Sequence, residues 1–282
     1  MMKTMAKTSS KRSARKRIRN AGSDSARAPA LRPKKSLGQN FLMHRRIAER
    51  IAQTAELAPD ATVFEIGPGT GMLTRELLAR AGKVIALEAD PALFEQLQAE
   101  FSEDIARGRL ELTCGDIRAF SVAALPKGYA LVANIPYYLT GEIFRKFLEA
   151  ENQPSAMTLL VQKEVAERVA RSKKESILSL SVKAYGTPRY AFTVPRGAFA
   201  PAPRVDSAVL SIRGIAREHF SSRAEEERFF SLIHTGFAHK RKLVQKNLAE
   251  IVSEEALLAA GVRKGARAED LPLPVWLALA AS

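Results

Sequence analysis

Residues 64–72 read Phe64-Glu65-Ile66-Gly67-Pro68-Gly69-Thr70-Gly71-Met72. A short apolar run, Thr62 to Ile66, leads into this stretch, and an amphipathic run, Met72 to Ala81, leads out of it. That succession is the pattern of a strand, a tight turn and a helix start. Glycines at alternate positions let the backbone approach a ligand and take positive φ where the turn needs it. The free N–H groups of the following helix then face that ligand. The pattern predicts a nucleotide-like cofactor on this turn. A turn that binds nothing is the bland alternative, and the surrounding sequence decides between them.

That surrounding sequence favours a cofactor. Val84 to Leu87 reads as a second buried strand ending at Glu88. An acid at the tip of the second strand is where a ribose hydroxyl pair is held in doubly wound sheets. NAD enzymes share this layout, but their fingerprint is G-x-G-x-x-G, whereas Gly67, Gly69 and Gly71 read G-x-G-x-G. Glu65, the acid before the glycines, suits a methyltransferase loop.

Composition narrows the class. The chain has 282 residues, enough for one large domain and a smaller one, and its hydrophobic content of 46% can bury a core. A lone cysteine, Cys114, excludes an intramolecular disulfide and a multi-Cys zinc site, and no metal site is expected. Cys114 lies in an apolar strand pattern and is expected to be a small buried filler. No stretch approaches the roughly 18 apolar residues of a membrane span, so a cytoplasmic protein without a membrane partner is expected.

The net charge of +14 is uneven. Residues 1–35 carry twelve Lys and Arg against a single acid, Asp24, which leaves only +3 for the rest. Residues 1–33 therefore read as a basic disordered tail. It lacks the apolar core of a secretory signal; a phosphate-contacting arm is expected, with a mitochondrial transit peptide and a solvated extension of no consequence as the alternatives.

Further along, Leu110 to Thr113 reads as a third strand, followed by Cys114-Gly115-Asp116. Asp116 then falls at the same sheet edge as Glu88, where a carboxylate can accept from an adenine amino group. A fourth strand, Tyr129 to Ala133, runs into Asn134-Ile135-Pro136-Tyr137-Tyr138, the most specific stretch of the chain. An exocyclic adenine amine is a poor nucleophile because its lone pair is delocalised into the ring. The Asn134 side-chain oxygen and the Ile135 carbonyl can accept both N–H hydrogens and localise that pair. Pro136 stiffens the loop, and Tyr137 offers a ring on which an extruded base can stack.

Thr140 opens a helix with Ile143, Phe144, Phe147 and Leu148 inward, and Ser155 to Val161 reads as a fifth strand. Tyr190 to Val194 and Val205 to Ile212 read as an antiparallel pair closing the sheet. Phe199, between them, is either a second wall of a base pocket or plain core. Beyond Glu218 the pattern is helical: Arg223 to Thr235, Lys240 to Ile251 and Leu257 to Ala260, with Trp276 packing inside. The basic run Phe237-Ala238-His239-Lys240-Arg241-Lys242 suits an RNA backbone. The expected division is a tail at 1–33, a catalytic domain at 34–214 and a helical RNA-binding domain at 215–282.

These stretches resemble the KsgA/RsmA family of ribosomal RNA adenine dimethyltransferases over roughly Lys34 to Ala280. The resemblance rests on Leu37-Gly38-Gln39-Asn40-Phe41-Leu42, Glu65–Gly71, Asn134–Tyr137, Gln162–Glu167, Phe199–Ser207, Phe237–Leu248 and Arg267–Leu271. It implies an α/β, class I (Rossmann-like) S-adenosyl-L-methionine-dependent fold with a small all-helical C-terminal domain. It also implies dimethylation at N6 of two adjacent adenosines in the 3′-terminal hairpin of small-subunit rRNA. By resemblance, Asn40, Leu42, Gly67, Glu88, Asp116 and Asn134 line the cofactor site, together with Glu65 and Gly69 of the glycine loop. Asn134 and Tyr137 hold the target base with Phe199 opposite. The partner implied is the immature small ribosomal subunit, met by a monomer. The family commonly carries a longer loop with a Tyr-Gly pair between Arg171 and Leu180, where this chain has Ser172-Lys173-Lys174-Glu175-Ser176-Ile177. Competing readings are an Erm-type enzyme acting on large-subunit RNA, a non-catalytic nucleic-acid-binding factor on the same fold, and an NAD dehydrogenase.

Overall fold

The structure, a computed structural model, describes Met1, Pro33, Lys34 and residues 37–282. The expectations for the basic tail fall outside the described residues. The first elements among the described residues are a two-residue strand, β1 (Phe41–Leu42), and helix α1 (Arg45–Thr54). Next come β2 (Thr62–Ile66), α2 (Met72–Leu78), β3 (Lys83–Glu88), α3 (Pro91–Glu100), a short α4 (Ser102–Ala106) and β4 (Leu110–Cys114). The alternation resumes with β5 (Ala130–Asn134), α5 (Thr140–Leu148), β6 (Ala156–Gln162), α6 (Lys163–Ala170) and α7 (Ile177–Lys183). Strands β7 (Thr187–Val194), β8 (Phe199–Ala200) and β9 (Ser207–Arg213) follow. The chain ends in helices α8 (Arg223–Phe237), α9 (Val244–Leu248), α10 (Glu254–Ala259) and α11 (Leu273–Ala281).

Seven strands form one sheet in the order β4-β3-β2-β5-β6-β9-β7. The pairs from β4 to β6 are parallel, and β9 runs antiparallel to both β6 and β7. The strand order reverses between β2 and β5. Connections leave that point toward opposite faces of the sheet and open a crevice beyond the strand ends, which is where ligands bind in open α/β sheets.

Alternate residues of each strand feed separate cores, because successive side chains point to opposite faces. Val63, Val84, Ala86, Val132 and Leu160 pack with Ile51 of α1 and Leu73 and Leu77 of α2. Phe64, Ile85, Leu87, Leu131 and Leu159 pack on the other face with Ile143, Phe144 and Phe147 of α5. Burial on both faces is why these strands read as continuous apolar runs.

The expected antiparallel closing pair is β7 and β9. Cys114 corrects an expectation: it is exposed rather than a buried filler. It ends β4, the edge strand, whose last residues have no neighbour on one side. The helix expected from Lys240 to Ile251 shrinks to α9, because Ala238–Lys242 form a turn, with Lys242 N–H donating to the His239 carbonyl. Asn247 ties that turn down, its Nδ2 donating to the Gly236 carbonyl at 2.6 Å.

The helical segment has its own core around the fully buried Trp276, whose Nε1 donates to the Leu271 carbonyl at 3.1 Å and whose ring stacks on Phe237. Leu180 and Ala184, at the α7 end of the sheet segment, contribute to this core. The 171–176 loop docks on the same segment. Lys174 Nζ reaches Glu269 at 2.5 Å and Asp270 at 3.2 Å, and Glu175 N–H donates to the Glu269 carbonyl.

Candidate functional site

A cleft of about 1170 Å³, partly open to solvent, lies at the crevice between β2 and β5. Asn40, Leu42, Glu65, Gly67, Gly69, Glu88, Asp116, Asn134, Tyr137 and Phe199 all line it. The structure thus brings together every site residue expected from the sequence, drawn from five strand ends and the segment before α1.

One lip is built from the glycine turn. Gly67, Gly69 and Gly71 have φ of 64°, 60° and 73°, conformations that side chains disfavour. Around Gly67 a Cβ would meet nothing within 4 Å, so its backbone faces open cleft. Gly71 differs: a Cβ there would come within 2.5 Å of the Phe101 ring, so this glycine serves close packing. Among the described residues no side chain caps the start of α2.

Glu88, at the tip of β3 and 4% exposed, ties the turn to the sheet. Its Oε2 accepts from Gly69 N–H and its Oε1 from Asp90 N–H, both at 2.9 Å. Each carboxylate oxygen keeps a further lone pair for a ligand. Burial raises its pKa, and the two backbone N–H bonds oppose that rise. Glu65, 1% exposed, is in a harsher place. Among the described residues its Oε2 has no hydrogen-bond partner. Burial pushes its pKa up to about 8, and the neighbouring Glu88 charge adds to the rise. The Thr74 hydroxyl pulls the other way without reaching hydrogen-bonding geometry. An orphaned acid beside an open glycine backbone suits a ligand that brings positive charge.

Asp116 lies at the expected edge, with its side chain already engaged. The Arg118 guanidinium donates to both carboxylate oxygens, at 2.5–3.1 Å, and Arg118 N–H donates to Oδ1 at 2.9 Å. This pairing lowers the Asp116 pKa.

Residues 37–42 line the cleft as a strap. Asp90 holds it: Lys34 Nζ reaches Oδ1 at 2.7 Å and Gln39 Nε2 donates to Oδ2 at 3.1 Å, while Oδ1 also caps α3 through Ala92 N–H. Downstream, β1 pairs with β8, setting Leu42 against Phe199. Sequence reading missed Asp90, although an Asp before Pro91 is a helix N-cap signal. It also found no role for Gln39.

The other lip is built from side chains at the end of β5. Asn134 Nδ2 donates to the Asn40 carbonyl at 3.1 Å, and among the described residues its Oδ1 accepts no hydrogen bond. Among the described residues the Ile135 carbonyl accepts no backbone bond. The half-buried Tyr137 shares a 2.7 Å hydrogen bond with Ser207 Oγ, and burial raises its phenol pKa. Phe199, 5% exposed, both lines the cleft and packs in the core behind it, so the two readings of this residue merge.

A parallel sheet with one antiparallel strand inserted near its edge, a glycine turn at the switch point and acids at the ends of β2 and β3 define a class I S-adenosylmethionine-dependent methyltransferase. The family model for ribosomal RNA adenine dimethylase matches residues 30–282, and the chain belongs to that family. A relative from Dehalococcoides mccartyi, named ribosomal RNA small subunit methyltransferase A, is 41% identical over 256 residues, 87% of each chain. One of the same name from Deinococcus radiodurans is 40% identical over 264 residues, covering 90% of this chain and 87% of its own. Among solved structures, the 23S rRNA methyltransferase ErmE superposes with a TM-score of 0.72 at 33% identity, over 86% of this chain and 98% of its own. A dimethyladenosine transferase from Plasmodium falciparum gives the same TM-score at 24% identity, over 85% and 95%, and shares the fold.

Proposed function

We propose that this chain dimethylates N6 of two adjacent adenosines in the 3′-terminal hairpin of small-subunit rRNA during ribosome assembly. The observation that carries the reading is Asn134. Its amide nitrogen is committed to the Asn40 carbonyl, so its oxygen is oriented as an acceptor between the glycine turn and the Tyr137–Phe199 slot. When bound, S-adenosylmethionine supplies a methyl group already activated by its sulfonium. Gly67, Glu65, Glu88, Asp116, Asn40 and Leu42 would hold it.

Asn134 Oδ1 and the Ile135 carbonyl would accept the two N6 hydrogens and localise the amine lone pair. Tyr137 and Phe199 would grip the ring of the extruded adenine. Alignment of this kind removes several kcal/mol of barrier, on the order of 7 or more in good cases, without a covalent intermediate. No residue is assigned as a base, and the proton that the methylated nitrogen sheds would pass to water at the open side of the cleft. A monomethylated amine keeps one N–H, so the same acceptors can present it again.

On this reading residues 34–214 form the catalytic domain and 215–282 the helical RNA-binding domain. Lys240, Arg241 and Lys242 stand exposed on the turn between α8 and α9, where they would meet phosphates. The basic tail at 1–33 would add phosphate contacts. A cytoplasmic monomer with no membrane partner completes the reading, and no helix among the described residues is long and apolar enough to cross a membrane. The likeness to ErmE keeps large-subunit RNA as the second reading. The relatives at about 40% identity favour the small subunit. Labelled cofactor, incubated with undermethylated small subunits and separately with large subunits, should mark two neighbouring adenosines of the small-subunit RNA. Label confined to large-subunit RNA would replace this reading with the second one.

A further inference from the structure

Tyr138 has no part in the reading above. It is 59% exposed, and it is the one exposed Phe, Tyr or Trp among the described residues. A single exposed apolar residue is ordinary, but this ring is held in position. Its backbone is fixed in the turn Tyr137–Leu139, where Leu139 N–H donates to the Pro136 carbonyl at 3.0 Å. Its edge rests on the strap: a Cβ on Gly38 would come within 3.0 Å of Tyr138 Cε1, and Gly38 has a φ of 60°. Gly38 is itself anchored, its carbonyl accepting from Asn40 Nδ2 at 3.1 Å. One side of the ring is therefore backed by fixed backbone and the rest is open to solvent, at the mouth of the cleft.

We propose that Tyr138 is a second stacking platform, holding the unpaired purine that adjoins the target adenosine in the same RNA strand. The inference rests on the proposed function. When one of two adjacent adenosines is turned out onto Tyr137, its neighbour loses a stacking partner. A pre-positioned ring one residue along the chain replaces that partner. The Arg118 guanidinium beside it is engaged by Asp116, so the mouth offers a ring face here rather than a free cation. Such a face accepts any base and needs no hydrogen-bond readout. Keeping the neighbour unpaired beside the cleft also lets the two adenosines exchange places without the RNA leaving.

The test compares wild type, Tyr138→Phe and Tyr138→Ala on undermethylated small subunits at saturating cofactor, with products mapped at each adenosine. Cofactor affinity is measured separately by calorimetry without RNA. Tyr138→Ala should bind cofactor as wild type does, methylate about tenfold more slowly, the scale of one lost base-on-ring stack, and accumulate subunits modified on one adenosine only. Tyr138→Phe, which keeps the ring, should match wild type in every readout. The inference is overturned if Tyr138→Ala modifies both adenosines at the wild-type rate and proportion. It is equally overturned if Tyr138→Ala loses cofactor affinity, since the ring would then cover the cofactor, or if Tyr138→Phe fails as Tyr138→Ala does. Wild-type protein that leaves the adjacent adenosines unlabelled would bring down the functional reading itself, and this inference with it.

Discussion

The two lips of the cleft are made of different material. The lip at β2 and β3 is backbone: a glycine turn with positive φ, held by a buried carboxylate that accepts two main-chain N–H bonds. The lip at β5 is side chain: an amide and a phenol, each oriented by a hydrogen bond, and a phenyl ring packed against the core. Backbone cannot be altered by substitution without changing the fold, so the first lip suits an invariant ligand. Side chains can be aimed atom by atom, as a reacting amine requires. The comparison predicts that changes on the β5 lip act on rate and changes on the β2–β3 lip act on cofactor affinity.

The largest expected effect is on the β5 lip. Asn134→Ala removes the oriented acceptor and should slow methylation at saturating cofactor by at least about a hundredfold, roughly 2.7 kcal/mol of barrier. Subunit binding should scarcely change, because phosphate contacts dominate it. A near wild-type rate would erase the division between the lips. Next comes Glu88→Gln. Its amide can satisfy only one of the two N–H donors from Gly69 and Asp90 and carries no charge for a ligand hydroxyl. Hydrogen bonds to charged groups are worth about 1.5–3 kcal/mol, so calorimetry should show cofactor affinity falling about tenfold or more. The rate at saturation should hold.

Much of this contrast is legible in the sequence, and what is not has identifiable causes. The parallel strands show because burial on both faces leaves apolar runs, and the glycine turn and Asn134–Tyr137 show because their chemistry is local. The β1–β8 pair does not show, since two residues carry no periodicity; its significance is that Leu42 and Phe199, far apart in the chain, meet over the cleft. Gln39 and Asp90 were opaque for the same reason, being each other's partners across 51 positions. Cys114 misled because an apolar pattern does not reveal that its strand is an edge. That Asp116 is already held by Arg118 could have been suspected from their spacing, yet two charges two apart are usually independent.

Glu65 sharpens the first lip with a pH dependence. Its pKa, pushed up to about 8 in the fold, lies above the ordinary carboxylate value of 4.5. Between those values the native state keeps a proton that the unfolded chain has released, so stability falls as pH rises through this window and levels off above it. Glu65→Gln cannot release that proton. Without cofactor, the variant's melting temperature should exceed that of wild type by a margin that grows from pH 5 to pH 8. A constant margin would mean that Glu65 is ionised throughout.

The smallest effect expected separates ring from hydroxyl on the β5 lip. Tyr137→Phe deletes only the bond to Ser207 Oγ. A neutral hydrogen bond of this kind contributes about 0.5–1.5 kcal/mol net, while stacking a base on the ring contributes about 1–3 kcal/mol and is untouched. The hydroxyl reaches away to β9, so its loss should loosen the ring without moving the Asn134 acceptor. The methylation rate should fall less than about tenfold and cofactor affinity should stay constant. The Ser207→Ala variant should reproduce the same loss, since it breaks the same bond from the other end. A hundredfold loss in Tyr137→Phe alone would give the phenol a direct part in the chemistry. The β5 lip would then act through a proton-bearing group as well as through alignment.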